Sequence, residues 1–267
     1  MMRIVWRLTK MIVLGVVAFI VFALIYEIAT FPRVGKLRDS NPETTAMIET
    51  RGREARLRSG AQPKRVQQWV PLTRISINLQ RAVLAGEDSN FATHNGFDYE
   101  AIQKAWEQAQ RDAAKEAKEA KEAKEAKEQG EDEASWIPAM PSFKRGASTI
   151  TQQLAKNLYL SSERSFVRKA REAAITYFLE KNLSKQRILE IYLNVIEWGD
   201  GVYGAEAAAQ TYFRKSAANL SPQEAAFLSA IIPNPRTEFN PQLKPRRVAR
   251  RQRIILRGLP YVKLPDR

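Results

Sequence analysis

Two adjacent carboxylates, Glu87 and Asp88, close an apolar stretch and open the segment that runs through Asn90, Phe91 and His94 to Gly96 and Asp98. Neighbouring helical positions point about 100° apart, so the two acids cannot share one job: one can face a cleft while the other holds the loop. A second polar set follows in Gly146-Ala147-Ser148-Thr149-Ile150-Thr151-Gln152-Gln153-Leu154-Ala155-Lys156-Asn157. There Ser148 reads as a helix N-cap, and Gln152, Gln153, Lys156 and Asn157 cluster opposite Ile150 and Leu154. A lysine beside amide donors suits a phosphate or a sugar; a solvated Gln/Lys face is the plainer alternative. The third set is Arg164, Arg168, Lys169, Arg171 and Glu172. Its arginines fall at i, i+4 and i+7, a basic stripe that could clamp a pyrophosphate, and Glu172 lies within pairing reach of Arg168 and Lys169. A salt-bridged helix surface would use the same spacing.

Other chemistries lack their residues. The chain has one histidine, His94, and no cysteine, which disfavours a zinc site and rules out thiol nucleophiles. No serine stands in G-x-S-x-G, and neither a P-loop nor a dinucleotide glycine motif occurs. Carboxylate chemistry on a phosphate-bearing substrate remains.

The elements that must carry these residues are mostly helical. Ile75, Ile77 and Leu79 alternate with polar neighbours and predict a short extended stretch leading into a helix over Arg81 to Glu87. Ile150, Leu154 and Leu158 predict one helix; Phe166, Ala170, Ala173 and Tyr177 mark one face of a second; Ile188, Ile191, Tyr192 and Val195 line a third. Glycines at 199, 201 and 204 break the pattern. Ser221-Pro222-Gln223-Glu224 then supplies an N-cap, a proline at N1 and an acid at N3 for a fourth helix, ended by Pro233 and Pro235. A Lys-Glu-Ala repeat from Lys115 to Glu128 walks its alanines around the helix axis, so it reads as a solvated insertion with no part in the site.

Of the 267 residues, Met11 to Tyr26 form an uncharged apolar run behind Arg3, Arg7 and Lys10. Extended past Glu27 to Phe31, it reaches roughly the 20 residues that a spanning helix needs, and the basic flank places the remainder of the chain outside the cytoplasm. A cleaved signal peptide is the alternative, but Ala29-Thr30-Phe31 is a poor cleavage site. The net charge of +14 would suit nucleic acid, an anionic membrane or a phosphate-bearing substrate; export disfavours nucleic acid. The expected organisation is a tail and transmembrane anchor over 1–31, a linker over 32–68, a catalytic domain over 69–245 with the insertion at 113–135, and a basic C-terminal segment over 246–267.

Taken together, the motifs resemble those of the family 51 peptidoglycan glycosyltransferases. E-D-x-x-F-x-x-H-x-G matches Glu87 to Gly96, G-[GA]-S-T-I-[ST]-Q-Q-x-x-K-N matches Gly146 to Asn157, and R-K-x-x-E matches Arg168 to Glu172. A fourth motif resembles Ile188 to Asn194 with Gly199 and Gly204, and a fifth Glu224 to Pro235. The Lys-Glu-Ala insertion and Ala147 depart from the pattern. No transpeptidase motif S-x-x-K or K-T-G occurs, which points to the monofunctional type.

The resemblance implies a mainly α, lysozyme-like fold and a transferase that joins lipid-linked disaccharide units, lipid II, to a lipid-linked glycan chain with inversion, in a bacterial inner membrane with the catalytic domain in the periplasm. It implies that Glu87 is the general base, that Glu172 is the second acid, and that Lys156, Arg164 and Arg171 neutralise the departing pyrophosphate. Ser148, Gln152 and Gln153 would orient sugars or loops, Asn157 and Arg168 complete the binding set, Asp88 supports the loop, and Lys104 is a further phosphate contact. No cofactor is required, and a divalent cation, Mg2+ or Mn2+, is left open, as are partners among cell-division and cell-wall synthesis proteins. The competing readings are a lysozyme-like cleaving enzyme, which would use the same two carboxylates without needing the cations, and an inactive cell-wall scaffold.

Overall fold

A computed structural model describes residues 2–60, 62–125, 148–160 and 165–266. The insertion beyond residue 125, Gly146, Ala147 and Arg164 lie outside the described residues.

Among the described residues ten α-helices dominate, in this order: α1 (Met2–Ala29), α2 (Ala46–Ser59), α3 (Ile77–Glu87), α4 (Tyr99–Glu125), α5 (Ile150–Tyr159), α6 (Phe166–Asn182), α7 (Lys185–Val195), α8 (Ala205–Phe213), α9 (Pro222–Ile231) and α10 (Pro245–Gly258). A small sheet of β1 (Val66–Gln67), β2 (Glu197–Gly199) and β3 (Val202–Tyr203) has the order β1-β3-β2. Its first strand runs parallel to β3 with Val66 opposite Val202, and β2 runs antiparallel to β3.

The apolar stripes account for the packing. Ile150, Leu154 and Leu158 on α5 and Ile188, Ile191, Tyr192 and Val195 on α7 are all buried, as their spacing predicted. Each such aliphatic side chain contributes about 1.5–3 kcal/mol when fully buried. One group of helices joins α5, α6 and α7; another joins α3, α9 and α10. The α9 start is as expected: the Ser221 hydroxyl accepts from Glu224 N, the Glu224 carboxylate accepts from Ser221 N, and Pro222 sits at the first position.

Four expectations are corrected. The extended stretch over Ile75 to Leu79 is helix from Ile77, because Ser76 caps α3 by accepting from Leu79 N. The cap of α5 is Thr149 rather than Ser148: its hydroxyl accepts from Gln152 N, and Gln152 reaches back to Thr149 N. On α6 the stripe of Phe166 and Tyr177 faces outward, with Phe166 86% exposed, while Glu172, Ile175, Thr176 and Leu179 face in. The 32–68 segment is no free linker. Val34, Leu37 and Ile48 are buried, α2 lies against α5, and β1 joins the sheet.

Asn194, from the fourth motif, fastens this early segment to α7. Its Oδ1 accepts from Val70 N at 2.9 Å, and its Nδ2 donates to Val70 O and Glu190 O. Gly204 makes the close approach possible, with φ +83 and a position where a Cβ would stand 2.7 Å from Asn194 O. Helix α1 is long and apolar enough to cross a membrane. Its end lies on α6, where Arg171 donates to Glu27 Oε2 at 2.7 Å and Thr30 O at 2.6 Å, and Phe31 meets Phe178 edge-on.

Candidate active site

Glu87 and Asp88 do divide their work. Asp88 leaves the helical conformation as the C-cap of α3, and its Oδ2 accepts from Ile150 N at 2.8 Å, tying the end of α3 to the start of α5. His94 Nε2 donates to Asp88 Oδ1 at 2.9 Å. Gly96 N donates to His94 Nδ1, which places the imidazole proton on Nε2. Gly96 adopts φ +90, and a Cβ there would stand 2.9 Å from Thr176 Cγ2; its carbonyl accepts from the Thr149 hydroxyl at 2.7 Å. The Asp88, His94 and Gly96 of the first motif therefore build the frame that holds Glu87.

Glu87 itself is 8% exposed in its side chain. Its Oε2 accepts from Gln153 Nε2 at 2.9 Å, and its Oε1 accepts from Arg251 Nη2 at 2.7 Å. Burial raises its pKa above the ordinary carboxylate value, opposed by the Arg251 charge, by the hydrogen bonds of Gln153 and Arg251, and by Lys156. The amide of Gln153 cannot turn freely, because its Oε1 accepts from the Tyr192 hydroxyl at 2.8 Å. An N–H is thereby kept on Glu87. Asn157 in turn donates to Gln153 O one turn back.

Arg251 is not among the site residues expected from the sequence, where it falls in the basic C-terminal segment. It stands on α10, where Val248 and Ile255 face inward, and its Nη2 also donates to Gly86 O at 2.7 Å. The signal was present: Arg251 falls midway between two buried apolar positions seven residues apart, so its stem must enter the protein.

The second acid, Glu172, is 4% exposed. It accepts from Arg168 Nη1 at 3.0 Å and from Lys169 Nζ, and Arg168 Nε is buried without a partner. The charges of Glu172 and Glu87 both act on the Lys156 ammonium, which therefore lies within electrostatic range of the two acids. Although the residue keeps solvent-exposed surface, protein crowding around the ammonium lowers its pKa from the ordinary lysine value; Arg168 and Lys169 lower it further, and the two glutamates oppose them. The site thus holds two buried acids, Glu87 bonded by Gln153 and Arg251 and Glu172 bonded by Arg168 and Lys169, with Lys156 in the field of both.

The remaining candidates take other parts. Gln152 is consumed in the α5 cap, and Ser148 lines the cavity beside Glu87, where its carbonyl accepts from Gln153 Nε2 at 3.5 Å. Arg171 turns to the end of α1, because α6 begins at Phe166 and presents that flank to the anchor. Lys104 is exposed on α4 beside Glu100 at 3.7 Å. Among the described residues, no three His, Asp or Glu side chains converge in a way that could hold a metal ion.

The Transglycosylase family model matches residues 54–118 and 133–259. Three similar proteins carry the name biosynthetic peptidoglycan transglycosylase. The one from Thiobacillus denitrificans is 44% identical over 243 residues, 88% of each chain. That from Laribacter hongkongensis is 42% identical over 96% of this chain and 99% of its own. That from Dechloromonas aromatica is 40% identical over 99% of this chain and 100% of its own. The match takes in both acids, the cations between them and the helix that carries Arg251, together with the mainly α, lysozyme-like fold expected of them, and on this ground the chain belongs to the transglycosylase family.

Proposed function

We propose that the chain is a membrane-anchored peptidoglycan glycosyltransferase that extends a lipid-pyrophosphate-linked glycan with lipid-linked GlcNAc-MurNAc-peptide. The observation that carries this reading is Glu87, a buried carboxylate gripped by Gln153 and Arg251, with a second buried acid, Glu172, held by Arg168 and Lys169.

In this reading Glu87 accepts the proton of the acceptor's 4-hydroxyl as that oxygen attacks the anomeric carbon of the donor. The C–O bond to the pyrophosphate breaks from the opposite face, so the linkage is β-1,4 with inversion. An alcohol is a poor acid, and a carboxylate can take its proton only as the leaving group departs. Neutralising the developing pyrophosphate charge therefore matters as much as the base. In this reading Lys156, Arg168 and Lys169 take that task, since Arg171, which the resemblance suggested for it, is bonded to the end of α1. The oxygens of Glu172 are already bonded to Arg168 and Lys169, so this donor set fits a pyrophosphate better than a divalent cation, and no step is assigned to a metal.

The family and the apolar α1 support membrane association. The basic residues before α1 favour an inner-membrane anchor with the catalytic domain on the periplasmic side.

The test is polymerisation of purified lipid-linked disaccharide-peptide by the detergent-solubilised protein, beside Glu87→Gln. Polymer from the wild type and none from the variant supports the transferase and its base together. Cleavage of preformed strands without polymer would replace this reading with the hydrolase, for which a carboxyl with a raised pKa would also serve as a general acid.

A further inference from the structure

Helix α10 holds six arginines in fourteen residues and no acid, in the sequence PRRVARRQRIILRG. Arg251 turns inward to Glu87, and Arg247 pairs with Glu238. The other four, Arg246, Arg250, Arg253 and Arg257, are exposed, and among the described residues none of them has an ion-pair or hydrogen-bond partner. At about 100° per residue they fall within roughly 60° of one another, opposite the buried Val248 and Ile255, and they extend over about 16 Å of helix.

A solvated surface does not require such a row. Like charges at i, i+4 cost about 0.2–0.5 kcal/mol per pair. Arg246 also sits in the first turn, where the helix dipole disfavours a cation. The fold tolerates an arrangement that the helix on its own would avoid.

We infer that this arginine row is a binding surface for a linear polyanion, and that the polyanion is the glycan strand itself, recognised through the carboxylates of its peptide side chains. This rests on the polymerising function proposed above. Two observations favour the strand over a bilayer. The exposed apolar residues Phe166, Val167 and Tyr177 and the anchor's contacts are on α6, whereas α10 packs on α3 and α9. The four arginines enclose no apolar side chain, and Ile254, exposed beside them on the same helix, is a single residue, too little for insertion among lipid chains. Because the same helix touches Glu87 from its inner face, a strand leaving the cleft along that wall would meet the arginines about one helix diameter, ~10 Å, from the acid.

The experiment measures binding of the full chain in detergent micelles to three probes: uncrosslinked glycan strands with their peptides, the same strands stripped of peptides by an amidase, and vesicles containing anionic phospholipid. The variant is Arg246→Gln, Arg250→Gln, Arg253→Gln and Arg257→Gln combined, with Arg250→Gln and Arg253→Gln alone as the second variant should the first misfold by circular dichroism. Expected are an affinity for peptide-bearing strands at least about tenfold weaker in the variant, a loss of wild-type binding as salt screens the charges, and weak binding of stripped strands by both proteins. Unchanged strand binding by the variants, equal binding of stripped strands, or a loss confined to the vesicles would each overturn the proposal. Strand binding that persists while the polymerisation assay yields no polymer would tell against the function and leave the surface standing.

Discussion

Replacing Arg251 with methionine keeps an unbranched stem in its place over Phe239 while removing the charge and the 2.7 Å hydrogen bond to Glu87. Both partners are largely enclosed, with side chains 26% and 8% exposed. A hydrogen bond to a charged group is worth about 1.5–3 kcal/mol, and each ~1.4 kcal/mol is tenfold in rate. At neutral pH the expected fall in kcat/KM is therefore about ten- to a hundredfold. Burial already raises the Glu87 pKa and Arg251 opposes that rise, so the variant's pKa moves higher still. Glu87 must be ionised to act as a base, so the acid limb of the pH–rate profile shifts to higher pH, and the deficit shrinks toward alkaline pH. The stability sign is fixed in the same way. A carboxyl whose folded pKa is raised stabilises the fold fully below its unfolded value and loses that contribution as pH rises through the folded value. The variant should thus be most destabilised, relative to wild type, on the neutral side. Rate profiles with the lipid-linked substrate, paired with urea melts across pH, measure both effects. A loss of equal size at every pH, with an unmoved acid limb, would refute the reasoning.

Glu172→Gln removes the charge that Arg168 and Lys169 share, and a drop in turnover is expected with little change in the fold by circular dichroism; wild-type turnover would show that the second acid is idle. Gly96→Ala forces a Cβ against Thr176 at φ +90, so instead of the gain of about 0.4–1 kcal/mol that a compatible glycine site gives, a destabilisation of more than ~1 kcal/mol is expected in denaturant melts. Asn194→Ala leaves the Val70 amide and carbonyl without their partner and should cost about 1–3 kcal/mol per unsatisfied group, read as a lower thermal midpoint. Glu224, held down to about 2 by Lys215 and the α9 cap, stabilises the fold above the ordinary carboxylate range and loses that contribution as pH falls toward its folded value. Glu224→Gln keeps the capping box and should flatten that acid dependence while leaving neutral stability within about 1 kcal/mol of wild type.

Much of this arrangement was legible in the sequence where a single period governs a single environment. Helices α5, α7 and α9 show their buried faces as apolar repeats, and the adjacency of Glu87 and Asp88 signals two separate jobs, although it is the departure of Asp88 from the helix that sets which acid holds the loop. The failures share a cause. Apolar spacing on α6 marks Phe166 and Tyr177 as a face, yet periodicity cannot distinguish a face that meets the core from one that lies beside the anchor. Arg171 continues the basic stripe in sequence, but the end of α1 takes it. Ser148 and Thr149 are equally good caps by type, and only the frame around Gly96, which takes the Thr149 hydroxyl, decides between them. The spacing of Val248 and Ile255 turns Arg251 inward, but its partner Glu87 is 164 residues away, and no local pattern names it.

The fastening of α1 to α6 has a consequence for how the enzyme stands. Glu27 and Thr30 meet Arg171, and Phe31, just past the end of α1, meets Phe178 two turns further along α6. A flexible tether would let the domain tumble and hold its active carboxylate at any altitude above the lipid. This mooring removes that freedom. In the anchored chain proposed above, Glu87 would keep one height and one heading over the headgroups, and a substrate confined by its lipid to two dimensions would always approach the same mouth.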